Sequence, residues 1–114
     1  MTSRSRFLAA CAGEPTDRKP LLVWSASPGH RCDALVCPHC ELAQARETHP
    51  EQAILVCIES PLARAMSQGL DLGAELQDDP EVGGKRLEAL KREARDEAAW
   101  SLDSGADGIF YVLE

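Results

Sequence analysis

One stretch, residues 79–113, limits what this chain can fold into. Its sequence, DPEVGGKRLEALKREARDEAAWSLDSGADGIFYVL, reads as one long helix returning into one buried strand. Asp79 can accept free amide protons of a first helical turn. Pro80 suits the first helical position, where no backbone N–H is needed. Leu87, Leu90, Ala94 and Ala98 recur at three- and four-residue spacing and form one apolar stripe. Lys85, Glu88, Arg92, Arg95 and Asp96 fall off it. Glu81 with Lys85, and Glu88 with Arg92, are favourable pairs four apart, each contributing roughly 0.2–0.5 kcal/mol. Gly83-Gly84 reads as a flexible first turn, since no strand precedes it as a phosphate loop requires. Gly105 offers a left-handed stop, and Asp107-Gly108 a turn. Residues 109–113 are an apolar run short enough for a strand covered on both faces. A helix feeding such a strand is the repeating half of a parallel α/β sheet or barrel.

Two further runs have the same character. Residues 21–25 and 53–58 read as strands, and with 108–113 they predict three parallel strands separated by helices. Residues 2–12 predict a short helix with Phe7, Leu8 and Cys11 on its apolar face. Residues 41–47 predict a helix ended by His49-Pro50. Ser60-Pro61 starts another, closed by Gly69, and residues 71–76 form a short helix or turn. No element is predicted over residues 32–40. The expected order is β–α–β–α–α–β after the first helix, in a single domain spanning residues 1–114.

The totals exclude several classes. Acidic residues outnumber basic ones 19 to 12, for a net charge of −7. A nucleic-acid surface needs clustered Lys and Arg, so none is expected. No apolar run approaches the roughly 20 residues that span a bilayer, so no membrane partner is expected either. The first residues lack the apolar run of a signal peptide, so a cytoplasmic location is expected. In that compartment, five cysteines are expected as thiols or ligands rather than disulfides.

Three segments carry a family resemblance. Residues 5–24, SRFLAACAGEPTDRKPLLVW, show a short helix, a G-E-P-x-D-R connector and a strand ending in tryptophan. Residues 58–66, IESPLARAM, join a strand end to a helix start. The Asp79-Pro80-Glu81 helix is followed by SGADGIFY at residues 104–111. In this order they resemble the uroporphyrinogen decarboxylase superfamily. The resemblance implies part of a (β/α)8 TIM barrel with its site at the C-terminal mouth of the strands. A whole barrel takes roughly 200 residues or more, so a chain of 114 is expected to be incomplete and not active by itself.

The resemblance also implies an activity and a set of residues. The activity is that of a lyase, a decarboxylase of porphyrin biosynthesis working without a cofactor, or of a methyltransferase-type relative. The family holds acidic substrate groups with arginines after the first strand, as guanidinium forks do. Counted from Trp24, the first of these falls on Ser27, a departure, and the second on Arg31. Arg31 would bind an acid group of a small acidic substrate, with His30 as the proton donor and Trp24 in the pocket. Ser60, Tyr111 and Glu114 lie at predicted strand ends and would face the mouth.

Two rival readings remain. His30, Cys32, Cys37 and Cys40 give H-x-C-x4-C-x-H-C with His39, a spacing that could hold zinc in a small module. The metal ligands of the methyltransferase relatives lie late in the barrel and do not match these cysteines. Alternatively, the chain is a non-catalytic partial barrel. It would then work by association, as a homo-oligomer or with a missing barrel half, because open strand edges invite pairing.

Overall fold

The structure, a computed structural model, describes residues 1–23 and 32–113. The elements run α1 (Ser3–Cys11), β1 (Leu22–Val23), β2 (Ala34–Pro38), a 3-10 turn (His39–Glu41), α2 (Leu42–Thr48) and β3 (Ala53–Glu59). They continue with α3 (Pro61–Ser67), α4 (Leu72–Asp78), α5 (Pro80–Asp103) and β4 (Gly108–Val112). The four strands form one sheet in the order β1-β2-β3-β4, and every neighbouring pair is parallel. This is an α/β fold with an open parallel sheet.

The local signals account for most of the helices. Asp79 accepts from the Val82 amide at 3.3 Å and starts α5. Ser60 and Asp71 cap α3 and α4 in the same way, accepting from Ala63 and Ala74. The α5 stripe packs as its spacing dictates, with Leu90 and Ala94 buried and Leu87 and Ala98 partly buried against the core. Gly105 ends the helix region with φ +106°, a backbone angle that side chains disfavour. No helix among the described residues is long and apolar enough to cross a membrane.

Three expectations need correction. Residues 34–38 form a strand where none was predicted, so β2 lies between the first two predicted strands. Its neighbours supply the reason: paired on both sides, ALVCP buries Ala34, Leu35, Val36 and Cys37. The first helix does not bury its Phe7, Leu8 and Cys11 face. Arg6 and Ala9 are its buried residues, because Arg6 turns inward to a buried carboxylate. Gly83 is not a flexible turn: a Cβ there would sit 2.8 Å from the Leu76 backbone, so glycine lets α5 approach α4 closely.

Strand alternation sorts the sheet faces. Leu35, Cys37, Ile54, Val56, Ile58 and Ile109 pack against Leu42 and Ala45 of α2 and Ala94 and Ala98 of α5. The opposite face carries Leu55, Cys57 and Glu59 of β3, all half-buried.

The N-terminal ends of the strands are tied by carboxylates. Asp33, with a fully buried side chain, accepts from Arg6 at 2.5 Å, Arg18 at 3.0 Å and the Leu21 amide at 2.8 Å. Arg6 also holds Asp17 at 2.6 Å. Asp107 accepts from Arg4 of α1, Arg46 of α2 and, at 2.9 Å, the Ile54 amide of β3. Burial by itself would raise both carboxyl pKa values. The Leu21 amide, Arg6 and Arg18 outweigh it at Asp33, and the Ile54 amide, Arg4 and Arg46 at Asp107, so both lie below the ordinary range. The Arg6 hydrogen bond lowers Asp17 as well.

A carboxyl whose folded pKa is depressed stabilises the fold fully above its unfolded value, near 4, and loses that contribution as pH falls through the folded value. Urea unfolding should therefore give a stability that is flat around neutral pH and falls below about pH 4. Asp33→Asn should lower stability at pH 7 by on the order of 3 kcal/mol, since it leaves a buried guanidinium short of a partner, and should flatten the acid slope.

Candidate functional site

In parallel α/β sheets, ligands bind beyond the C-terminal ends of the strands. Here β3 ends at Glu59 and β4 at Val112, which face each other in register. Ser60 joins the two. Its amide donates to the Val112 carbonyl at 2.8 Å, and its hydroxyl donates to the Leu113 carbonyl at 2.8 Å while accepting from Ala63 at 3.1 Å. Pro61 then fixes the first turn of α3.

Over this joint α3 folds back across the end of β3. Glu59, Ala63, Met66, Ser67 and Val112 line an open cavity of about 400 Å³. The Ser67 hydroxyl donates to the Glu59 carboxylate at 3.1 Å. Arg64 does not reach that carboxylate. Its Nε donates to the Glu59 carbonyl, and its terminal nitrogen pairs with Glu97 of α5. The cavity thus combines one carboxylate and one hydroxyl with apolar walls. It can take a hydrogen-bond donor or a cation.

A second polar cluster lies among the helices. Glu97 pairs with both Arg64 and His39, and the His39 ring stands edge-on to Trp100 with centroids 6.0 Å apart. The chain spacing brought His39 forward only as part of a C-x-x-C motif. Its actual partner is 58 positions away, which no local pattern reveals.

The sequence-derived site residues divide into three groups. Trp24, Ser27, His30, Arg31 and Glu114 lie outside the described residues. Ser60 is at the strand ends, as expected, but its hydroxyl is committed to the β3–α3–β4 joint. Tyr111 pairs with Ile58 in register, which puts it on the helix-covered face. It is 49% exposed there, in a groove beside Lys91 and Arg95 of α5.

The cysteines also separate. Cys32 and Cys37 are buried in one apolar cluster, whereas Cys40 and Cys11 are exposed. Among the described residues, no group of three or more His, Cys, Asp or Glu side chains is placed to hold a metal ion. Burial pushes the Cys32 thiol up, with Asp33 adding to it, and pushes up Cys37, with Glu41 and Cys40 adding. Cys57 is raised by burial and by Glu59 and Glu97. Only thiolates attack alkylating reagents. Iodoacetamide at pH 8 should therefore label Cys11 and Cys40 first and leave Cys32 and Cys37 protected until urea unfolds the chain. Mass spectrometry of digested samples reads the order directly.

Comparison of the chain with protein-family models, with curated proteins and with solved structures found no match.

Proposed function

We propose that this chain is part of a (β/α)8 barrel like that of uroporphyrinogen decarboxylase. It would serve a carboxy-lyase or a methyltransferase-type relative that binds a small acidic molecule at the C-terminal strand ends. The observation that carries this reading is the strand order. Four parallel strands follow one another as β1-β2-β3-β4, which is the winding of a barrel, whereas doubly wound sheets reverse direction at a switch point. Helices α2 and α5 on one face, and α1 against the N-terminal ends of the strands, fit the same plan.

In this reading Arg31 holds an acid group of the substrate through a charge-assisted fork, and His30 supplies the proton that replaces carbon dioxide. Trp24 would wall the pocket. Ser27, standing where the family has an arginine, favours a substrate with fewer acid groups than a full tetrapyrrole. No cofactor is needed for such a step. The zinc alternative rests on the spacing of His30, Cys32, Cys37 and Cys40. A second reading, association through the sheet edge as a homo-oligomer or with a missing barrel half, is favoured by β4. None of its residues is fully buried, and Leu113 beyond it is 69% exposed.

The test is a titration with uroporphyrin, followed by its absorption, and with glutarate, followed by calorimetry. At least one should bind saturably, and Arg31→Ala should weaken it by roughly tenfold or more, the worth of a hydrogen-bonded charge. Equal affinity of Arg31→Ala, or no saturable binding of either acid, would remove the assignment.

A further inference from the structure

The described carboxylates that are not solvent-exposed are Asp33, Glu59, Glu75, Glu97 and Asp107. Four of them carry a cation. Asp33 has Arg6 and Arg18, Glu75 has Arg86, Glu97 has Arg64, and Asp107 has Arg4 and Arg46. Glu59 is the exception. Among the described residues, its carboxylate accepts a hydrogen bond from the Ser67 hydroxyl and pairs with no cation. Among the described residues every other sheltered carboxylate has an arginine, and this one, at the strand ends where α/β folds bind ligands, has none.

The surroundings say what would complete it. A partly desolvated carboxylate gains most from a cation that also donates hydrogen bonds. The Ser67 hydroxyl spends its proton on Glu59, so its lone pairs remain to accept a second N–H. The rest of the wall, Ala63, Met66 and Val112, is aliphatic, and Met66 is 63% exposed. The volume of about 400 Å³ falls within the usual range for small-molecule sites, roughly 300–1,000 Å³. An acid would be repelled here, so this is a subsite distinct in chemistry from the one assigned to Arg31.

We propose that the cavity formed by Glu59, Ser67, Met66, Ala63 and Val112 binds a primary ammonium group carried on a short aliphatic body. The ammonium donates to the Glu59 carboxylate and to the Ser67 oxygen, while the aliphatic part covers Met66 and Val112. The proposal rests on the C-terminal rim being the ligand-binding end. It is independent of the acid bound by Arg31.

The probes are n-hexylammonium, n-hexanol and n-hexanoate, added to isotope-labelled protein and followed by amide NMR shifts. Hexylammonium should shift Glu59, Ser67 and Val112 saturably. Hexanol should bind about tenfold more weakly, and hexanoate should leave these residues unmoved. Glu59→Gln should weaken hexylammonium by about tenfold, and Ser67→Ala by a smaller factor, with amide dispersion showing that both variants fold. Glu81→Gln, on the exposed first turn of α5, should change nothing. Equal binding of hexanol and hexylammonium would overturn the proposal. So would an equal effect of Glu81→Gln, or an absence of saturable shifts into the tens of millimolar. Failure here with acid binding intact would remove only the Glu59 subsite; failure of both would remove the rim as a ligand site.

Discussion

Asp107 fixes the geometry on which the sheet depends. It sits at the entrance to β4, with a side chain only 3% exposed. From there it reaches α1 through Arg4, α2 through Arg46 and β3 through the Ile54 amide. Asp33 does the same one step along, binding Arg6, Arg18 and the Leu21 amide at the start of β1. Parallel strands cannot be set in register by tight hairpins, because each connection must cross the sheet. Carboxylates that accept from a neighbouring strand's amide fix that register instead. Each is stable only because cations surround it, since an unpaired buried charge is costly.

This arrangement makes the two ends of the sheet chemically unlike. At the N-terminal end the sheltered carboxylates Asp33 and Asp107 are matched by arginines that tie in α1 and α2. At the C-terminal end the joint between β3, α3 and β4 is made by a serine hydroxyl and backbone groups, and among the described residues Glu59 has no cation partner. The ordered end stabilises, and the open end is where a small molecule can still gain interactions. That division of labour is common to parallel α/β architectures.

Local chemistry in the sequence foretold local structure. The caps at Asp79 and Ser60, the prolines after them, the α5 stripe and the stop at Gly105 all act within a few residues, and all four features are found. The α/β class followed from them. The strand β2 is not legible locally, because Cys37 and Cys40 read equally as metal ligands, while burial between two neighbours makes this segment a strand. The Arg–Asp ties span up to 103 positions and leave no spacing to read. At the rim, Ser60 is legible as a strand-end residue, whereas nothing local distinguishes its neighbour Glu59 from an ordinary surface carboxylate. The signal for Glu59 is the lack of an ion pair among the described residues, which only the fold reveals.

Residue-resolved amide hydrogen exchange tests the anchoring of the sheet most directly. The Ile54 amide, buried and bound to the Asp107 carboxylate at the start of β3, should exchange only through global unfolding. In Asp107→Asn its exchange should accelerate by about a hundredfold or more, as expected when a buried charged partner is lost. The α3 and α4 amides, which do not depend on that contact, should change much less. An Ile54 amide that exchanges as fast as the helix ends, or that is indifferent to Asp107→Asn, would contradict the account.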